Sequence, residues 1–232
     1  ERLLLKRVVS SAVHICTVSE ATKRDLLHQY PSLPKNKVST IFSGPTQVKA
    51  SQSNPTDANV ILCAGTLCPR KNQKRLVDAY AKLPSSLREQ YKLLLVGGRG
   101  WHDGEILEAV RRTDGVEWKG FVSNEEYKKL VSSCTVFAFP SLYEGFGISV
   151  LDALSRGVPV LTSTRGSLKE VAGDAALTVD PENVDAITQG LEKMLSDAEF
   201  RESLKKKGKA QTQKFSWKRT VDLFLSEARK LV

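Results

Sequence analysis

From residue 60 onward the chain alternates short, almost continuous apolar runs with amphipathic stretches. That alternation constrains the fold more than any other feature. "VILCAG" (60–65), "YKLLLVGG" (91–98), "VEWKGFV" (116–122), "TVFAFP" (135–140), "VPVLTS" (158–163) and "AALTVD" (175–180) read as strands. They are unbroken apolar runs rather than clean alternators. A strand covered on both faces has that composition, which points to a parallel sheet flanked by helices. The stretches between carry helix signals. Ser123 and Glu126 form a capping box. Gly157 and Pro159 stop the helix in "ISVLDALSR", and "ENVDAITQGLEKMLSD" is amphipathic with an acidic start. Repeated strand–helix units of this kind predict an α/β domain with a Rossmann-like, doubly wound parallel sheet.

The first 47 residues read differently. "SSAVHICTVS" reads as a strand, "EATKRDLLHQY" as a helix capped by Ser19, and "KVSTIF" as another strand. "SGPTQVKASQSNPTDAN" (43–59) is rich in Ser, Pro, Asn and Gly, as linkers are. The expected organisation is the tail of one α/β domain (1–47), a linker (48–59), a complete Rossmann-like domain (60–214) and a terminal helix (215–232) anchored by Trp217. The start carries neither an initiator Met nor a signal peptide, and reads as an artificial or processing boundary.

Composition narrows the function classes. At 41% hydrophobic and 26% charged, the 232 residues suit a soluble globular protein. No window of 18 unbroken apolar residues suggests a membrane span. Cys16, Cys63, Cys68 and Cys134 form no CxxC pair and have no His at metal-ligand spacing, so they read as structural thiols in a reducing cytoplasm; a disulfide or zinc role is the alternative. The net charge is +9, and "KKKGK" (205–209) reads as a solvated helix face or as an attraction to anionic membrane or polyanionic substrate. No RNP-type segment or zinc finger supports nucleic-acid binding. His14, His28 and His102 sit in no assignable motif.

An open parallel sheet binds ligands at the carboxyl ends of its strands, and three glycine-bearing turns leave strands on that edge. "AGTLCPRKN" (64–72) sets Arg70 and Lys71 just before a helix, where free N–H groups and the helix dipole add to their charge. "VGGRG" (96–100) lacks the full GxGxxG spacing. "FPSLYEGFGISVLDALSRGVPV" (139–160) places Glu144 and Asp152 around Gly145 and Gly147 at the start of a helix. A solvated basic turn, a plain tight turn and a helix-face carboxylate are the unremarkable readings of these features. Together they suggest a ligand with a pyrophosphate for the cations and hydroxyls for the carboxylates.

These residues resemble a known family. "FPSLYEGFGISVLDALSRGVPV" is similar to the donor-site signature of retaining glycosyltransferases of family 4 (glycosyl transferases group 1), which have the GT-B fold. "TVSEATKRDL", "AGTLCPRKN", "LLLVGG", "GFVSNEEY" and "STRGSLKEVAGDAALTVDPENVDAI" match in the family's order. The resemblance implies the C-terminal, donor-binding half of such an enzyme, with a short remnant of the N-terminal domain. It implies that Arg70 and Lys71 meet the donor pyrophosphate, that Glu144 holds hydroxyls of the transferred sugar, and that Gly145, Phe146 and Gly147 offer backbone N–H groups. Asp152 would face the ribose and Val122 the base. Gly65, Thr66, Gly97 and Ile148 would complete the donor site, and Ser19 would lie at the interdomain cleft. The implied donor is a UDP- or GDP-sugar, with no metal. The implied acceptor is a glycan or lipid-linked sugar, met in the cytoplasm or at the inner face of the membrane.

Two departures stand out. The family usually has Glu where this chain has Asp152, and many members have Arg where it has Thr66; Arg70 and Lys71 would then supply the charge. "PRKN" resembles a bacterial subgroup that often uses mannose donors. The expectation is a chain that binds a nucleotide sugar but transfers little alone. Other GT-B activities, such as a sugar-nucleotide epimerase or a phosphorylase, lack their own signatures here. A non-catalytic binding or scaffold domain is the alternative from a different class.

Overall fold

A computed structural model describes residues 2–46 and 59–231. The N-terminal part runs through α1 (Arg2–Ser11), β1 (Ile15–Thr17), α2 (Glu20–Gln29) and β2 (Val38–Thr40). Then come β3 (Val60–Ala64), α3 (Gln73–Ala81), α4 (Ser85–Gln90), β4 (Lys92–Val96), α5 (Gly104–Arg112), β5 (Val116–Trp118) and α6 (Asn124–Ser133). The chain continues with β6 (Val136–Phe139), α7 (Ile148–Ser155), β7 (Val160–Ser163), α8 (Gly166–Ala172) and β8 (Ala176–Val179). It ends on α9 (Val184–Ser196), α10 (Ala198–Thr212) and α11 (Trp217–Arg229). Except for Asn59, the linker expected over 48–59 lies outside the described residues.

All six expected strands form one parallel sheet in the order β5-β4-β3-β6-β7-β8. Residues in β3, β4, β6 and β7 are buried on both faces, which is why these runs are apolar without alternation. Tyr80, Phe137, Phe139, Leu76, Leu95, Leu151 and Leu161 fill the core with less than 2% exposure. The strand order reverses between β3 and β6. In such sheets the crevice for a ligand opens at the reversal, outside the carboxyl ends of the two strands. Here those ends lead into the Arg70–Lys71 turn and the Glu144 turn.

The helix signals bear out locally. Ser123 caps α6 by accepting from the Glu126 N–H, Ser19 caps α2, and Ser216 caps α11. One expectation changes. "SSAVHICTVS" is not a strand throughout: Ser10 and Ser11 end helix α1, and only Ile15–Thr17 pairs, in parallel with Val38–Thr40. The Leu- and Arg-rich stretch before it carries the helix through Ser11.

The N-terminal part lies directly against the sheet domain. Residues 42–46 lead back to it, and the Phe42 ring meets those of Phe146 and Phe215 at 6.3 and 5.7 Å. Helix α11 holds the same segment: Thr220 Oγ1 donates to the Phe42 carbonyl at 2.6 Å, and Trp217 Nε1 donates to that of Pro45 at 2.8 Å.

Candidate functional site

The turn after β3 makes one 3-10 turn over Pro69–Lys71, and Asn72 follows in the left-handed region. Asn72 is buried, and its amide donates to the carbonyls of Pro140 and Pro181. This fixes the turn against the end of β6 and aims the two preceding cations across the crevice.

Both reach the same acid. Lys71 Nζ lies 2.8 Å and an Arg70 guanidinium nitrogen 3.0 Å from Glu144 Oε1. The Ser141 hydroxyl is 2.7 Å from that oxygen and 2.9 Å from the Arg70 carbonyl. Ser167 donates to the Glu144 carbonyl at 2.7 Å. Glu144 is 8% exposed, while Ser141 and Ser167 are fully buried. The Lys71 ammonium also sits 4.7 Å from the centre of the Phe139 ring. Among the described residues every polar partner of the Glu144 carboxylate falls on Oε1, which leaves Oε2 able to accept. Two cations face one carboxylate, so the cluster keeps a formal positive charge. Cys63, beneath it, is buried, and loss of solvation pushes its thiol up to about 12, where it is inert at neutral pH.

The glycine turn closes the crevice from the other side. Gly147 has φ 102° and caps α7, and a side chain there would come within 2.7 Å of Leu168. The backbone N–H groups of Phe146, Gly147 and Ile148 have no acceptor among the described residues, as expected at a helix start. The Phe146 ring points inward, 5.8 Å from that of Phe215, while Ile148 is exposed. From α2, Ser19 and Thr22 both donate to the Gly145 carbonyl, at 2.7 and 3.0 Å.

Gly65, Gly97 and Val122 line one cleft of about 200 Å³ with Phe121, Asn124, Tyr127 and Ser149. Gly65 and Gly97 touch: a Cβ on Gly97 would lie 2.2 Å from the Gly65 carbonyl oxygen. Thr66 is exposed at its edge. Burial first, and the nearby Asp152 charge second, hold the Tyr127 phenol above its usual range.

Asp152, expected to face the ribose, has partners within the chain. It is 3% exposed, and both carboxylate oxygens accept from Thr46, one from its N–H and one from its hydroxyl, each at 2.7 Å. Its bonds run to the N-terminal part rather than to the open edge. Burial raises its pKa above the usual range, and the Thr46 bonds only partly offset that. The sequence reading missed Thr46, Thr22, Ser141 and Ser167. Ser141 and Ser167 stand within the quoted motifs, beside "FP" and in "RGS", but a serine there says nothing of its partner.

Comparison with known proteins follows the same residues. The model of the family described as glycosyl transferases group 1 matches residues 46–211. The chain is 42% identical over 159 residues to O-antigen chain mannosyltransferase B of Escherichia coli, a match covering 67% of this chain and 42% of that protein. Among solved structures, sucrose-phosphate synthase from Thermosynechococcus elongatus superposes with a TM-score of 0.79 at 25% identity, over 99% of this chain and 61% of that one. HepE of Anabaena, solved in complex with UDP and glucose, superposes with a TM-score of 0.80 at 20% identity, over 99% and 66%. The chain thus spans less than half of the mannosyltransferase it matches. It has the fold of GT-B glycosyltransferases.

Proposed function

The chain belongs to the glycosyl transferases group 1 family, and we propose that it is the donor-binding part of a retaining family 4 glycosyltransferase. In this reading it helps to pass a hexose from a UDP- or GDP-sugar to a glycan or lipid-linked acceptor during polysaccharide or glycoconjugate assembly. Mannose is the favoured sugar, because the protein matched at 42% identity is named a mannosyltransferase.

The observation that carries the reading is the convergence of Arg70 and Lys71 on Glu144 at the sheet's reversal point, two to four residues before N–H groups at the start of α7 that have no acceptor among the described residues. Arg70 and Lys71 take the donor diphosphate. Glu144 Oε2 accepts from hydroxyls of the sugar. The cleft at Gly65, Gly97 and Val122 takes the nucleoside. Breaking the sugar–phosphate bond builds negative charge on the leaving diphosphate. Cations and N–H groups already aimed there stabilise that charge as it forms, each such group being worth ~3 kcal/mol. These residues supply the neutralising charge without a metal. Asp152 is assigned to Thr46 rather than to the ribose.

That last feature favours a second reading, a non-catalytic nucleotide-sugar-binding or scaffold domain. Calorimetric titration with UDP, GDP and their glucose and mannose conjugates separates the outcomes. Saturable binding of one nucleotide, tighter with its sugar attached, is expected; no heat at about millimolar ligand, where binding is worth only ~4 kcal/mol, contradicts the donor-binding reading and favours a scaffold role. Catalysis is distinguished from mere binding by slow release of free sugar from the bound donor.

The exposed Lys206, Lys207 and Lys209 of α10 support an electrostatic approach to an anionic membrane at its cytoplasmic face. No helix among the described residues is long and apolar enough to cross a membrane. Binding to phosphatidylglycerol vesicles that disappears at high salt supports this contact, and salt-independent or absent binding argues against it.

A further inference from the structure

We propose that Ser19 and Thr22, outside the sheet domain, are positioning residues of the donor site, because they fix the peptide that joins Gly145 to Phe146. The inference rests on the donor-site reading above. The Gly145 carbonyl accepts from two hydroxyls, Ser19 at 2.7 Å and Thr22 at 3.0 Å, across 126 and 123 residues of sequence. A carbonyl oxygen has two lone pairs, so this one is fully used. Ser19 is itself wholly buried and held as the cap of α2 through the Thr22 N–H. The same helix grips the turn two residues earlier, where the Tyr143 hydroxyl donates to Asp25 at 2.9 Å. Helix α2 is in turn tied to α8: the Glu170 carboxylate accepts from the Glu20 N–H and from Arg24.

The consequence follows from peptide geometry. The described chain has no cis bond, and in a trans peptide the C=O and N–H point in opposite directions. Pinning the Gly145 carbonyl towards α2 therefore turns the Phe146 N–H away from α2. That N–H has no acceptor among the described residues. A glycine at 145 would otherwise let this peptide rotate at little cost. The two hydroxyls thus hold a donor in place before any anion arrives, which is the condition under which such a group stabilises developing charge. They would touch neither nucleotide nor sugar.

The test is the 15N-labelled chain titrated with UDP and with GDP, following the Phe146 amide resonance. In the wild type that resonance moves on saturation. Thr22→Val keeps the shape and removes one donor; it is expected to weaken binding several-fold and to shrink the Phe146 shift. Thr22→Ser, which keeps the hydroxyl, restores both. Ser19→Ala with Thr22→Val is expected to weaken binding on the order of tenfold or more, about 1.4 kcal/mol. If the double variant loses its fold, the Thr22→Val and Thr22→Ser pair alone decides. Wild-type affinity and an unchanged Phe146 shift in folded Thr22→Val overturn the inference. A wild-type chain that binds neither nucleotide overturns the donor-site reading on which it rests.

Discussion

At Asp152 two effects oppose each other. Thr46 supplies two short bonds that favour the carboxylate, and burial disfavours it. Burial wins, so the folded state holds this proton more tightly than the unfolded chain does. Stability from this group is therefore fully present below the unfolded value of 3.8 and is lost as pH rises through the higher folded value. Asparagine can still accept from one Thr46 donor and carries no charge. Asp152→Asn is expected to gain stability relative to wild type between pH 4 and pH 7, measured by urea unfolding at both. An advantage for the wild type that grows with pH would show that the Thr46 bonds outweigh burial. The sequence made this acid visible but not its partner: Thr46 lies 106 residues away, and no local pattern encodes such a bond.

At the scale of elements, the sheet was legible because its strands are buried on both faces and must be apolar throughout. Turns were legible where glycine is obligatory. Gly97 has φ 137°, and a Cβ on it would lie 2.2 Å from the Gly65 carbonyl oxygen, so this position cannot yield to a side chain. Gly97→Ala should cost on the order of 3 kcal/mol, counting left-handed strain and the clash together. For a chain of this size that is a fall of roughly 6–12 °C in melting temperature; a fall under about 2 °C would mean that the β3 and β4 ends move apart freely. Helix α1 escaped the reading because its last residues, Ser10 and Ser11, run directly into the apolar "AVHIC" that leads into β1. Arg70, Lys71 and Glu144 were each marked by their motifs. Their meeting on a single oxygen was not, since it depends on how the β3 and β6 turns face each other. The buried serines behind Glu144 carry no signal that distinguishes an anchor from a filler.

Across the whole molecule, the donor turn is held from both sides. The sheet domain supplies Arg70, Lys71, Ser141 and Ser167. The N-terminal part supplies Ser19 and Thr22 to the turn and Thr46 to the helix that follows it. Phe146 sits where the two meet, between Phe42 and Phe215. The site is thus a joint product of two parts of the chain, and its charge pattern is the property to test. Calorimetry on wild type, Lys71→Ala and Glu144→Gln, each titrated with a nucleoside diphosphate and with its hexose conjugate, does so most directly. The account predicts that Lys71→Ala loses roughly tenfold or more, about 1.4 kcal/mol, for both ligands. It predicts that Glu144→Gln keeps the diphosphate and loses the extra affinity conferred by the sugar. Both variants binding both ligands as the wild type does would contradict it.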